Sequence, residues 1–136
     1  MKNTLDRELH QKFYQNMGRL FYAIAAADGI VRKEELDSLK GIVREEWLDL
    51  DDYTDEFGTD SAFQIEIIFE WLDANKPDPQ EAFQNFLEFH AENKTLFNKQ
   101  IKEKILGASR KIAAAFRGKN KSELVMLARL QSVLNK

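Results

Sequence analysis

The stretch Ala25-Ala26-Ala27-Asp28-Gly29-Ile30-Val31-Arg32-Lys33-Glu34-Glu35-Leu36 decides the fold. A run of small residues ends at Asp-Gly, and a second helical pattern starts within a few residues. Upstream, Leu5, Leu9, Phe13, Met17, Leu20, Ile24 and Ala27 recur at spacings of three and four, which mark one face of a helix. That helix would be about 34 Å long at ~1.5 Å per residue. Gly29 can adopt the left-handed conformation that ends it. Downstream, Leu36, Leu39, Val43 and Trp47 mark the face of a second helix.

The same reading carries through the rest of the chain. An acidic loop is expected from about Leu48 to Thr59, with Asp60 as the N-cap of a third helix carrying Ala62, Ile65, Phe69 and Leu72. Lys76-Pro77-Asp78-Pro79 breaks it. Asp78 then caps a fourth helix, with Pro79 at its first position and Glu81 completing a capping box. That helix buries Phe83, Phe86, Leu87 and His90. A long fifth helix is expected from about Thr95 to Phe116, with Phe97, Ile101, Ile105, Ala108, Ile112 and Ala115 in register. Asn120-Lys121-Ser122-Glu123 opens a last helix carrying Leu124, Leu127, Leu130 and Leu134. Gly18, Gly41 and Gly107 fall inside helical patterns, where close helix approach would explain them. No alternating strand pattern competes. The expectation is an all-α, single-domain bundle of about six to seven helices spanning residues 1–136, with two long central helices, one near each end.

Composition narrows the function classes. There is no Cys, so disulfides and thiolate chemistry are excluded, and two His without an HExxH pattern argue against a zinc centre. No segment approaches the ~18 consecutive apolar residues of a spanning helix, and the N-terminal residues lack the apolar core of a secretion signal. A cytoplasmic protein without membrane association is expected. Charge is strongly segregated. Residues 45–75 hold eleven Asp and Glu and no Lys or Arg, while residues 94–136 hold eleven Lys and Arg against Glu103 and Glu123. Two readings stand: mutual neutralisation of packed halves, or two oppositely charged faces that meet partners.

A shift of 88 residues aligns Ile24-Ala25-Ala26-Ala27 with Ile112-Ala113-Ala114-Ala115, and pairs Lys33, Glu35 and Leu36 with Lys121, Glu123 and Leu124. The shift suggests a duplicated helical hairpin about a pseudo-twofold axis. Asp28-Gly29 has become Phe116-Arg117 in the second copy, so one acidic corner is expected and not two.

The run from Leu20 to Gly29, followed by Val31 and Glu34-Glu35-Leu36, resembles the signature of the TerB family, the tellurite-resistance domain also found at the N-terminus of membrane-anchored J-domain co-chaperones. The resemblance implies an all-helical cytoplasmic module of bacterial origin, associated with stress and tellurite resistance, that binds a divalent metal through acidic residues. By position it implies Asp28 and Glu35 as ligands, with Glu34 adjacent. The chain has no His-Pro-Asp tripeptide, which excludes a complete J-domain protein.

Carboxylates are hard oxygen donors, so Asp28, Glu34 and Glu35 would suit Ca²⁺, Mg²⁺ or Mn²⁺. The competing reading is that Asp28 caps the second helix and the two glutamates complement its dipole. Asp51, Asp52 and Asp55 offer a weaker cation site in a solvated acidic loop. An EF-hand reading fails there. Counted from Asp49, Thr54 stands where glycine is required and Asp60 where glutamate is required. No nucleophile-base set or phosphate loop can be assembled. The basic residues of the last third alternate with core positions and form no nucleic-acid stripe. The chain therefore reads as a non-enzymatic module with protein partners, monomeric or weakly homodimeric, with or without a divalent cation. It is not expected to bind nucleic acid.

Overall fold

A computed structural model describes residues 4–27, 33–47, 57–115 and 122–135, and among them the chain is all-helical. Six α-helices follow in order: α1 (Thr4–Ala25), α2 (Lys33–Trp47), α3 (Phe57–Asn75), α4 (Pro79–Glu92), α5 (Lys99–Ala115) and α6 (Ser122–Leu134). A single 3₁₀ turn, Lys94–Leu96, separates α4 from α5. The result is the expected single-domain α bundle.

The bundle is built around α1. From Leu20 to Ala26 every side chain is buried, so this end of the helix has no solvent face. A helix that is apolar all round must be enclosed, and α1 packs against α3, α4, α5 and α6. Its last turn tightens, with the Ala27 amide donating to the Ile24 carbonyl at 3.3 Å. Gly18 sits where α1 crosses α3. A Cβ there would lie 2.8 Å from Ile68 Cγ2, so the crossing requires glycine, as its place in the pattern suggested. Gly41 in α2 differs: a Cβ would meet nothing within 4 Å, and close approach does not explain it.

Local signals explain most helix ends. Asp78 is the N-cap of α4, and its carboxylate accepts from the Gln80 amide at 3.2 Å, one residue before the expected Glu81. Asn98 caps α5 by accepting from the Ile101 amide at 2.9 Å. This bond moves the start of α5 from the expected Thr95 to Lys99 and leaves Phe97 in the connection. Helix α3 starts at Phe57, earlier than expected, so Asp60 lies in its first turn. It is therefore not the N-cap.

Two register expectations are corrected. Ala115 is exposed, because the buried stripe of α5 ends at Ile112. In α6 the buried positions are Met126, Leu130 and Leu134, while Leu127 is half-buried. The second-longest helix is α3 at 19 residues, ahead of α5 at 17. The 88-residue shift does map buried Phe13, Met17, Leu20 and Ile24 onto buried Ile101, Ile105, Ala108 and Ile112. The packing does not repeat with it. Helix α5 packs on α6, but α2 packs on α3 and α5 and makes no comparable contact with α1.

Candidate functional site

The acidic corner lies mostly outside the described residues. Asp28, Asp51, Asp52 and Asp55 belong to stretches not described, as does the side chain of Glu35, while Glu34 is exposed in the first turn of α2. Among the described residues no group of three or more His, Cys, Asp or Glu side chains is placed to hold a metal ion. No described helix is long and apolar enough to cross a membrane.

Among the described residues the acidic stretch is partly neutralised, since Glu45, Glu70 and Asp73 pair with Lys111, Lys40 and Lys76. Among the described residues helix α3, in the acidic stretch, packs chiefly on α1 and α2. Lys111 pairs with Glu45 at 3.6 Å and links the acidic stretch to the basic one, and both side chains are solvated. Such pairs contribute about 0–1 kcal/mol. Lys40 pairs with Glu70 and ties α2 to α3.

The inward face of α3 carries Ile65, Phe69 and Leu72, all buried. Its outward face carries Ile67 and Trp71, 49% and 57% exposed, and then exposed Ala74. Positions four and seven residues apart lie on one side of a helix, so these three form an apolar stripe opposite the core. Glu70 flanks it with a solvated carboxylate. This stripe was legible in part: Ile67 and Trp71 fall off the three-and-four spacing of Ile65, Phe69 and Leu72.

A second feature lies between α4 and α6, which do not pack closely on one another. They are bridged by Arg129, whose guanidinium sits 5.2 Å from the centre of the Phe83 ring. Beside this contact is a partly open cavity of about 330 Å³. Leu87, Ala91, Val133 and Leu134 line its apolar part, and His90, Lys94 and Lys102 its polar part. His90 is 6% exposed, as expected for a core position. Its ring meets Phe97 edge-on at 4.7 Å and stacks on Phe86 at 6.3 Å. Burial, then the charges of Lys94 and Lys102, hold its pKa below the ordinary histidine value. The lysines escaped sequence reading because the cavity joins residues from three helices and a turn, over more than forty positions.

Phe97 organises this end of the molecule. Besides His90, its ring meets Phe13 at 5.5 Å, Phe86 at 6.0 Å and Phe89 at 6.2 Å. The connection before α5 is thereby anchored in the core, which fixes Lys94 at the cavity mouth.

Searches against protein-family models, curated proteins and solved structures return no match to this chain.

Proposed function

We propose that the protein is a non-enzymatic interaction module that docks a basic, amphipathic segment of another protein on the outer face of α3. The observation that carries this reading is the pair Ile67 and Trp71, one helical turn apart and both exposed. A solvated tryptophan costs hydrophobic free energy that a partner can recover, and tryptophan anchors are enriched at interface centres. Charge selects the partner. In sequence the stripe lies in a stretch with eleven acids and no base, and the Glu70 carboxylate beside it stays solvated while paired with Lys40, so a segment with Lys or Arg around an apolar anchor complements it. This reading keeps the protein-partner half of what the sequence as a whole suggests. The divalent-cation half stays a separate matter for titration with Ca²⁺, Mg²⁺ and Mn²⁺.

The test is in-cell photo-crosslinking from a photoreactive residue at position 71. An adduct with a different protein through a Lys- or Arg-rich segment, lost in Ile67→Glu, supports the proposal. Adducts only with a second copy of this chain, or none, overturn it.

A further inference from the structure

We propose that the cavity between α4 and α6 binds a small amphiphilic anion, with a carboxylate between Lys94 and Lys102 and an alkyl tail against Leu87, Ala91, Val133 and Leu134. The cavity's lining is divided as such a ligand requires. The apolar side chains come from α4 and α6, and the cations from the connecting turn and α5. No Asp or Glu is among the lining residues, and neither lysine forms an ion pair among the described residues. Two cationic side chains lining one small cavity favour an anion there.

His90 adds a third donor. No described group hydrogen-bonds its ring, whose neighbours are the rings of Phe86 and Phe97 and the two lysines. A neutral imidazole can donate one N–H to a carboxylate oxygen. Its pKa is held down partly by the lysines, so an arriving anion would reverse that influence. At about 330 Å³ the cavity is at the small end of ligand sites, which run roughly 300–1,000 Å³. A short alkyl chain with one charged end fits, whereas a folded peptide is too large. The site lies away from the outer face of α3, so neither proposal depends on the other.

Octanoate is the probe, with acetate as a charge-only control and octan-1-ol as a tail-only control. The readouts are the His90 ring resonances, distinguished from those of His10 with His90→Gln, and the Val133 methyl resonances. Octanoate is expected to shift both saturably and to raise the His90 pKa. Acetate and octanol are each expected to bind at least about tenfold more weakly, because each loses one half of the contact. The double variant Lys94→Gln, Lys102→Gln is expected to weaken octanoate binding by about tenfold or more while keeping its helical circular dichroism. The proposal is overturned by the absence of a saturable shift, by equal binding to the double variant, or by acetate matching octanoate. Loss of helicity in the double variant would pass the decision to Val133→Trp. This variant fills the cavity without touching a charge and should abolish binding; retained binding would overturn the proposal.

Discussion

Ile24-Ala25-Ala26-Ala27 and Ile112-Ala113-Ala114-Ala115 are identical in sequence, and the fold uses them in opposite ways. In α1 the run is enclosed: Ile24, Ala25 and Ala26 are buried and Ala27 is half-buried. In α5 only Ile112 is buried, and Ala114 and Ala115 face solvent. Alanine is small enough for either setting, so the difference comes from what precedes each run. Phe21, Tyr22 and Ala23 stand in α1 where Ser109, Arg110 and Lys111 stand in α5. The first set can be covered on every side, whereas two long cations must keep one side of α5 in water. A repeat in sequence therefore marks a common buried stripe here, without a common environment.

The sharpest way to break this contrast is to place a charge in each copy. Ala23 is fully buried in the enclosed helix, at the position matched by Lys111. Ala23→Lys should destabilise by more than about 4 kcal/mol, because an unpaired ammonium would be buried. Ala114→Lys should change stability by less than about 0.5 kcal/mol. Urea unfolding followed by circular dichroism measures both. Similar losses in the two variants would mean that the ends of α1 and α5 are equally enclosed.

Glycine offers the next contrast, inside the core against outside it. Gly18→Ala pushes a methyl against Ile68, whose β-branched side chain has little freedom to move aside. Overpacking costs about 1–3 kcal/mol and the gain in helix propensity returns up to ~1, so a net loss of about 1–2 kcal/mol is expected. Gly41→Ala meets open space and should stabilise by about 0.5–1 kcal/mol. Opposite signs in chemical denaturation would establish that α1 and α3 cross at contact distance.

The copies differ again at the pair Phe21 and Ser109, both with no exposure. Phe21 fills its place with a ring. Ser109 brings a hydroxyl whose oxygen has no hydrogen-bond partner. An unsatisfied buried hydroxyl costs roughly 1–3 kcal/mol, and alanine removes the polar atom with little change of volume. Ser109→Ala should therefore stabilise the fold by about 1 kcal/mol, seen as a higher urea midpoint at unchanged slope. Destabilisation instead would place an ordered water on that oxygen.

How far the sequence discloses the molecule follows from the range of the forces involved. Helices and their caps are local, so the stripes of α1 and α4 and the Asp78-Pro79 start could be read directly. The start of α5 was missed because Asn98 and Thr95 both look like caps, and the choice falls to Phe97, whose partners lie in α1 and α4. Burial of Met126 in preference to Leu127 depends likewise on which side of α6 meets the bundle. The acidic corner was the most legible site, yet Asp28 and the side chain of Glu35 fall outside the described residues. The cationic cavity had no sequence signature, since Lys94, Lys102 and Val133 share only a tertiary neighbourhood. Exposed Trp71 is the intermediate case. Its position off the apolar stripe was visible in the sequence, but only the packing of α3 on α1 and α2 leaves it uncovered.

The smallest expected effect contrasts the interior of α4 with its cationic rim. In the unfolded chain His90 takes up a proton near its ordinary pKa of about 6.5. In the folded chain burial, and then Lys94 and Lys102, push that pKa down. Between the two values the unfolded state holds more protons, so stability rises with pH across that interval. Stability should therefore fall as the pH drops through about 6.5, and the loss should level off below the folded pKa. Carboxylates titrate lower, and His10 is common to both chains, so the informative quantity is the difference between the natural chain and His90→Gln. Urea midpoints from about pH 8 to pH 5 should converge as the pH falls, because only the natural chain carries this penalty. Lys94→Gln, Lys102→Gln should shrink the convergence without abolishing it, since burial is the larger cause. Parallel midpoints for the natural chain and His90→Gln would mean that the imidazole is as well solvated as in the unfolded chain. The aromatic enclosure formed by Phe86 and Phe97 would then be open in solution.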